Sequence, residues 1–182
     1  MRAMFCRKEL RAQLRARRGA VSPLKRSIAS RLVARHIDTA FHLHPSQRIA
    51  LYSAFREELD TAPLIELALA RGCEIYLPLV NRRSRTMQFV HAPSGKTIGA
   101  RWLDLVFLPL VGFDEYGMRL GMGGGYYDRA FAFRHLRKAW RGPQLIGIAY
   151  ELQRVPLIEA APHDVLLDAI VTEAGVTRKH IS

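Results

Sequence analysis

Cysteine is nearly missing from this chain: Cys6 and Cys73 are the whole supply. They form no CxxC pair and give neither a disulfide framework nor a zinc site, so a reducing cytoplasm is the expected compartment. Long apolar runs are missing too. None approaches the roughly 18–20 residues that span a bilayer, so no membrane partner is expected. Acidic residues are scarce, 16 against 28 lysines and arginines, which leaves a net charge of +12. The seven histidines include His42 and His44. No further ligands cluster near that pair, which favours solvated or helix-end histidines over a metal site. No Ser-His-Asp or Cys-His constellation is evident, and neither are internal repeats, low-complexity tracts or long linkers. What is present is ordinary for a folded domain: 182 residues, 49% hydrophobic and 24% charged. That length predicts one domain over residues 1–182, large enough for a real core.

The most informative stretch runs from Arg119 to Asp128, Arg-Leu-Gly-Met-Gly-Gly-Gly-Tyr-Tyr-Asp. Glycine permits positive φ and lets another molecule approach with no Cβ in the way. Successive N–H groups in such a turn form an anion-binding concavity, and a helix starting there adds its positive end. Arg119 offers a fork of donors to phosphate oxygens, and Asp128 a hard oxygen for magnesium. The glycines could instead serve only as a tight turn or a bulge. The apolar run Leu105 to Val111 upstream and the helical pattern Asp128 to Lys138 downstream favour phosphate. No Lys-Ser/Thr pair follows, so this is no P-loop. Dinucleotide spacing would need glycine where Tyr126 stands, and no acidic residue follows about twenty residues on.

The positive charge concentrates at the start. Up to Ser30 there are nine basic residues, and Glu9 is the single acidic one. Three readings compete: a nucleic-acid-binding arm, an Arg-rich targeting peptide, and a solvated helix face from which one or two cations reach an anionic substrate. Targeting fits least, because a well-formed second helix follows directly.

Periodicity predicts a short amphipathic helix from Met4 to Arg18, ended by Gly19. A second opens at Ser22-Pro23, serine at N-cap and proline at N1, and runs to about His42. Strand and helix then alternate: strand Arg48 to Ala54, a helix capped near Thr61 and ended at Gly72, strands Glu74 to Leu79 and Met87 to His91, and a loop from Ala92 to Trp102. After these come the buried strand Leu105 to Leu110, the glycine loop with the helix Asp128 to Lys138, and strands Leu145 to Tyr150 and Ala169 to Val171. The fold class expected is α/β, a three-layer domain with a mostly parallel central sheet flanked by helices and preceded by two N-terminal helices. In such sheets ligands bind beyond the carboxyl ends of the strands. Arg56-Glu57-Glu58, the glycine loop and His163-Asp164 all fall at such places and are expected to line one cleft.

With these segments together, the chain resembles the 5-formyltetrahydrofolate cyclo-ligase (5,10-methenyltetrahydrofolate synthetase) family nearly end to end. Arg7-Lys8-Glu9-Leu10-Arg11 is similar to its Lys-x-x-Leu-Arg helix. Ser53 to Thr61 is similar to its Glu-[Ile/Leu/Val]-[Asp/Glu]-Thr segment. The diagnostic part is Leu108 to Asp114 followed by Arg119 to Asp128, and Pro162 to Asp168 resembles the closing His-Asp-x-x-x-Asp.

The resemblance implies an ATP- and magnesium-dependent ring closure of 5-formyltetrahydrofolate to 5,10-methenyltetrahydrofolate, with release of ADP and phosphate. In the family's scheme the formyl oxygen attacks the γ-phosphate, then N10 closes the ring. It also implies site residues. Arg7, Lys8, Arg11, Arg119, Leu120, Gly121, Met122, Gly123, Gly124, Gly125, Tyr126 and Tyr127 would hold ATP. Arg11, Arg119 and Tyr126 would stand at the reacting groups. Ser53, Glu58, Gly123, Gly124, Gly125 and Tyr126 would bind the folate, and Asp128 and Asp164 would carry Mg²⁺. Asp168 and Asp114 are expected to be structural. A monomer acting on a small-molecule folate, with or without further glutamates, is expected, and nucleic acid is not an expected partner. The alternatives are a basic RNA-binding module and an ATP-using homologue with a different substrate.

Overall fold

A computed structural model describes residues 6–136 and 142–179. They form an eight-stranded sheet whose middle five strands run parallel. In chain order the strands are β1 (Arg48–Ala50), β2 (Glu74–Asn81), β3 (Thr86–His91), β4 (Thr97–Ile98), β5 (Leu105–Pro109), β6 (Gly112–Phe113), β7 (Arg119–Leu120), β8 (Gln144–Ile148), β9 (Ala169–Thr172) and β10 (Gly175–Arg178). The large sheet has the order β10-β9-β8-β5-β1-β2-β3-β4, and β6 and β7 form a separate ribbon. The pairs β9–β8, β8–β5, β5–β1 and β1–β2 are parallel. Antiparallel strands close both edges.

The helices are α1 (Arg7–Gly19), α2 (Pro23–Phe41), α3 (Ala62–Ala70) and α4 (Tyr126–Phe131). α2 and α3 cover one face of the sheet, burying Val33, Ile37, Leu64 and Ala68 against Ile49, Ile75 and Phe107. α4 covers the other, with Phe131 beside Phe89, Val106 and Leu145. These five-residue central strands are buried on both faces, which explains why β5 and β8 read as continuous apolar runs. α1 belongs to neither layer. It lies over the β6–β7 ribbon with Leu14 packed on Val111, Leu120 and Ile158.

Several expectations change. The first strand ends at Ala50 instead of Ala54: the Leu51 N–H makes a last bond to the Tyr76 carbonyl at 3.0 Å, and the chain then leaves the sheet. Ser22 caps α2 as expected, accepting from the Lys25 N–H at 3.4 Å. Thr61 stands at the N-cap of α3 as expected, but its hydroxyl donates to the Tyr52 carbonyl, and Asp60 takes the Ala62 N–H instead. The helix after the glycines starts two residues early, at Tyr126. It tightens into a 3₁₀ turn over Ala132–Leu136. Its expected end and the Met4–Phe5 start of α1 lie outside the described residues.

Candidate active site

The carboxyl ends of β1 and β5 open the cleft. After β1, Tyr52 turns its hydroxyl to the Leu59 carbonyl at 2.9 Å, and Thr61 holds the Tyr52 carbonyl at 2.8 Å. These bonds fix the loop that carries Ser53 and Glu58. Ser53 is exposed and Glu58 half-buried. Glu58 accepts the Phe55 N–H at 3.1 Å. Burial pushes its carboxyl above the usual carboxylate range; the Phe55 hydrogen bond and the charge of Arg18 oppose this.

After β5 the chain makes the β6–β7 ribbon and then the glycine loop. Asp114, fully buried, accepts the N–H groups of Tyr116, Met118 and Ile158 and so shapes the turn between the two short strands. Asp168 is likewise structural, taking Arg134 and the Leu145 N–H, each at 2.7 Å. Gly123 stands at φ +96 and Gly125 at φ +63, conformations that an L side chain resists. Among the described residues, the N–H groups of Met122, Gly123, Gly124 and Gly125 have no intramolecular acceptor.

Arginines and carboxylates converge on this loop. Arg119, only 8% exposed, donates to the Val165 carbonyl and to Asp128 at 2.5 Å. Burial lowers its pKa, while Asp128 and Asp164 raise it. Asp128 also takes the Val165 N–H at 3.1 Å, joining α4 to the late segment that carries Asp164. From α1, Arg7 reaches Asp164 at 2.7 Å and Arg11 donates to the Gly121 carbonyl at 2.9 Å. The Nε of Arg7 is buried without a partner. A cleft of about 820 Å³ lined by Met118, Arg134, Asp164, Val165 and Asp168 adjoins this cluster.

The other expected residues divide. Lys8 is exposed while Arg7, its neighbour, turns inward. Leu120 cannot offer its side chain to a ligand, because that side chain is fully buried against Leu14 and Val111. Met122 is exposed. Tyr126 lies beneath the Arg129 guanidinium, 5.0 Å from its ring centre. Tyr127 packs inward, stacked on Phe131 at 6.5 Å. Burial, with the Glu58 charge nearby, pushes its phenol far above the ordinary range, and Arg119 counters only in part. Arg129 had no sequence signal beyond its charge, yet it holds the Gly124 carbonyl at 2.7 Å. Among the described residues no group of three or more His, Cys, Asp or Glu gathers as a metal cage.

Comparison with known proteins agrees with this geometry. Residues 4–173 match the model of the 5-formyltetrahydrofolate cyclo-ligase family. The 5-formyltetrahydrofolate cyclo-ligase of Escherichia coli K12 is 31% identical, over 90% of this chain and 98% of its own length. A solved 5,10-methenyltetrahydrofolate synthetase from Mycoplasma pneumoniae superposes with a TM-score of 0.79 at 27% identity, covering 93% of this chain and 99% of that one. One from Aquifex aeolicus gives 0.80 at 25% identity, covering 98% and 95%. The chain therefore belongs to the 5-formyltetrahydrofolate cyclo-ligase family.

Proposed function

We propose that this chain, acting as one domain and as a monomer, uses Mg-ATP to close 5-formyltetrahydrofolate to 5,10-methenyltetrahydrofolate, releasing ADP and phosphate. The observation that carries the reading is the convergence of Arg7, Arg11, Arg119, Asp128 and Asp164 on one glycine loop. Phosphoryl transfer asks the protein mainly for positioning and for positive charge on the phosphate oxygens. The free N–H groups from Met122 to Gly125 supply a cradle, and the unpartnered Nε of Arg7 supplies a donor in want of an acceptor. Arg11 binds the start of the loop and so stands where the activated formyl group and the phosphates would meet.

The donor set also fits magnesium. Asp128 and Asp164 offer hard carboxylate oxygens, and Mg²⁺ takes one or two of these beside phosphates and water. When bound, the ion would neutralise charge on the transferring phosphate. Each carboxylate is paired with an arginine, Asp128 with Arg119 and Asp164 with Arg7. Glu58, half-buried on the loop after β1, offers a carboxylate that matches the paired N–H donors of a pterin. Tyr127, on the first turn of α4, is kept neutral by burial and by the nearby Glu58 charge.

The N-terminal arginines argue against an RNA module. Arg7 and Arg11 turn into the site and Arg18 is 3% exposed, so half of the α1 cations are not free to meet a phosphate backbone. ADP release measured with and without 5-formyltetrahydrofolate separates the remaining readings. Release that requires this folate is expected; release that ignores it, or that follows another acceptor, would overturn the assignment.

A further inference from the structure

The carboxyl edge of the sheet carries more cations than the phosphates use. β1 leaves the sheet at Ala50, which lies opposite Tyr76 of β2. β2 runs on to Asn81 and returns as β3 from Thr86. The overhang, Leu77 to Asn81, projects roughly 17 Å at about 3.3 Å per residue. Its tip is Asn81-Arg82-Arg83-Ser84-Arg85-Thr86, exposed throughout. The tip is ordered by its own contacts: the Asn81 side-chain oxygen accepts the N–H groups of Arg83 and Ser84 at 3.0 and 3.1 Å.

One side chain fastens this arm to the glycine loop. Arg129 donates to the Arg85 carbonyl at 3.0 Å and to the Gly124 carbonyl at 2.7 Å. The glycine loop thus has two sides. Arg11 of α1 holds Gly121 on the side of Arg7 and Asp164, and Arg129 holds Gly124 on the side of the hairpin. β2 neighbours β1, so the hairpin flanks the loop that carries Glu58. In that loop Arg56 stands at φ +55, two residues before Glu58, with its guanidinium 5.0 Å from the Phe55 ring centre. A left-handed arginine is a strained conformation of the kind kept at ligand clamps. Among the described residues Arg56, Arg82, Arg83 and Arg85 form no ion pair. The loop that carries Arg56 also carries Glu57, Glu58 and the exposed Asp60. Large apolar side chains lie bare on the same edge, Phe55 at 62% and Leu79 at 54% exposure.

We propose that Arg56, Arg82 and Arg83 form a rim that binds the carboxylates at the glutamate end of the folate, with Phe55 and Leu79 against the aromatic ring that joins glutamate to pterin. This rests on the folate reading. A pterin seated at Glu58 sends its tail outward, away from the phosphates. Two carboxylates at the end of a flat apolar linker match arginine forks around exposed apolar faces. Arg129 sets the spacing between rim and glycine loop.

Equilibrium binding without ATP tests this, with 5-formyltetrahydrofolate and with 5-formyltetrahydropteroate, which lacks the glutamate. Wild-type protein is expected to bind the folate about tenfold more tightly, roughly what 1.4 kcal/mol gives. The triple variant Arg56→Asn, Arg82→Ala, Arg83→Ala is expected to lose that preference while its affinity for the pteroate stays within twofold. Asparagine is chosen because it tolerates the left-handed backbone. Lysine at 82 and 83 is expected to keep most of the preference. Equal wild-type affinity for the two ligands overturns the rim, as does a variant that weakens both alike or weakens only ATP. Binding of neither ligand, with no methenyl product, instead overturns the folate reading on which the rim rests.

Discussion

Asp128 and Asp164 are each paired with an arginine that a phosphate would also attract, Arg119 and Arg7. Asp128→Asn keeps the oxygen that holds the Val165 N–H but removes the charge. Turnover is expected to fall about a hundredfold, the order seen when one stabilising group is lost at a phosphoryl-transfer or oxyanion site. The magnesium concentration for half-maximal rate should rise with it, and an unchanged magnesium requirement would speak against the ligand role. Glu58 gives a prediction with a sign. Its folded-state pKa is raised by burial, so the folded chain holds a proton that the unfolded chain has released, and stability falls as pH rises through that window. Glu58→Gln removes this slope. Melting curves should show the variant more stable than wild type at pH 7 and level with it near pH 4, while KM for the folate rises at least tenfold. A variant less stable at pH 7 would contradict the burial account. In the sequence the glycine run singles out Asp128, whereas Asp164 and Glu58 stand out only through the family resemblance, on the His163-Asp164 segment and beside Asp60-Thr61. Arg129 does not stand out, since an exposed arginine on a short helix carries no pattern until its two carbonyl partners are seen.

α1 shows how an element converts a helical stripe into a site. Arg7, Leu10, Arg11, Leu14 and Arg18 recur at the i, i+3, i+4, i+7 spacing of one face, and this is the face that turns inward. Leu14, fully buried on the β6–β7 ribbon, anchors the helix that presents Arg7 and Arg11. Leu14→Ala should cost about 2–5 kcal/mol of stability. Below the melting transition KM for ATP should rise several-fold more than KM for the folate, because the arginine stripe loses its footing. Equal effects on both would show that α1 does not position ATP. The long buried strands β5 and β8 and helix α2 were readable, because apolar runs and a Ser-Pro cap report them directly. The two-residue strands β6 and β7 were not, since they are too short to show a period and exist through ribbon pairing and the Asp114 turn. β4 hid inside the Ala92 to Trp102 loop for the same reason. β10 follows β9 by a tight reversal at Glu173-Ala174 after the last apolar run.

At the scale of the whole molecule, a parallel sheet brings three distant segments to one edge: the loop after β1, the loop after β7 and the Pro162 to Asp168 connection. α1, from the start of the chain, closes the cleft from above. Four arginines line that edge, Arg7, Arg11 and Arg119 on the phosphate side of the glycine loop and Arg129 on the hairpin side. That distribution suits a protein holding two anionic small molecules on either side of a thin backbone cradle. The measurement that tests this most directly is the absorbance of 5,10-methenyltetrahydrofolate when purified protein meets 5-formyltetrahydrofolate and ATP with magnesium. Methenyl product in step with ADP, lost on chelating the metal, is predicted; no methenyl product under these conditions would contradict the account.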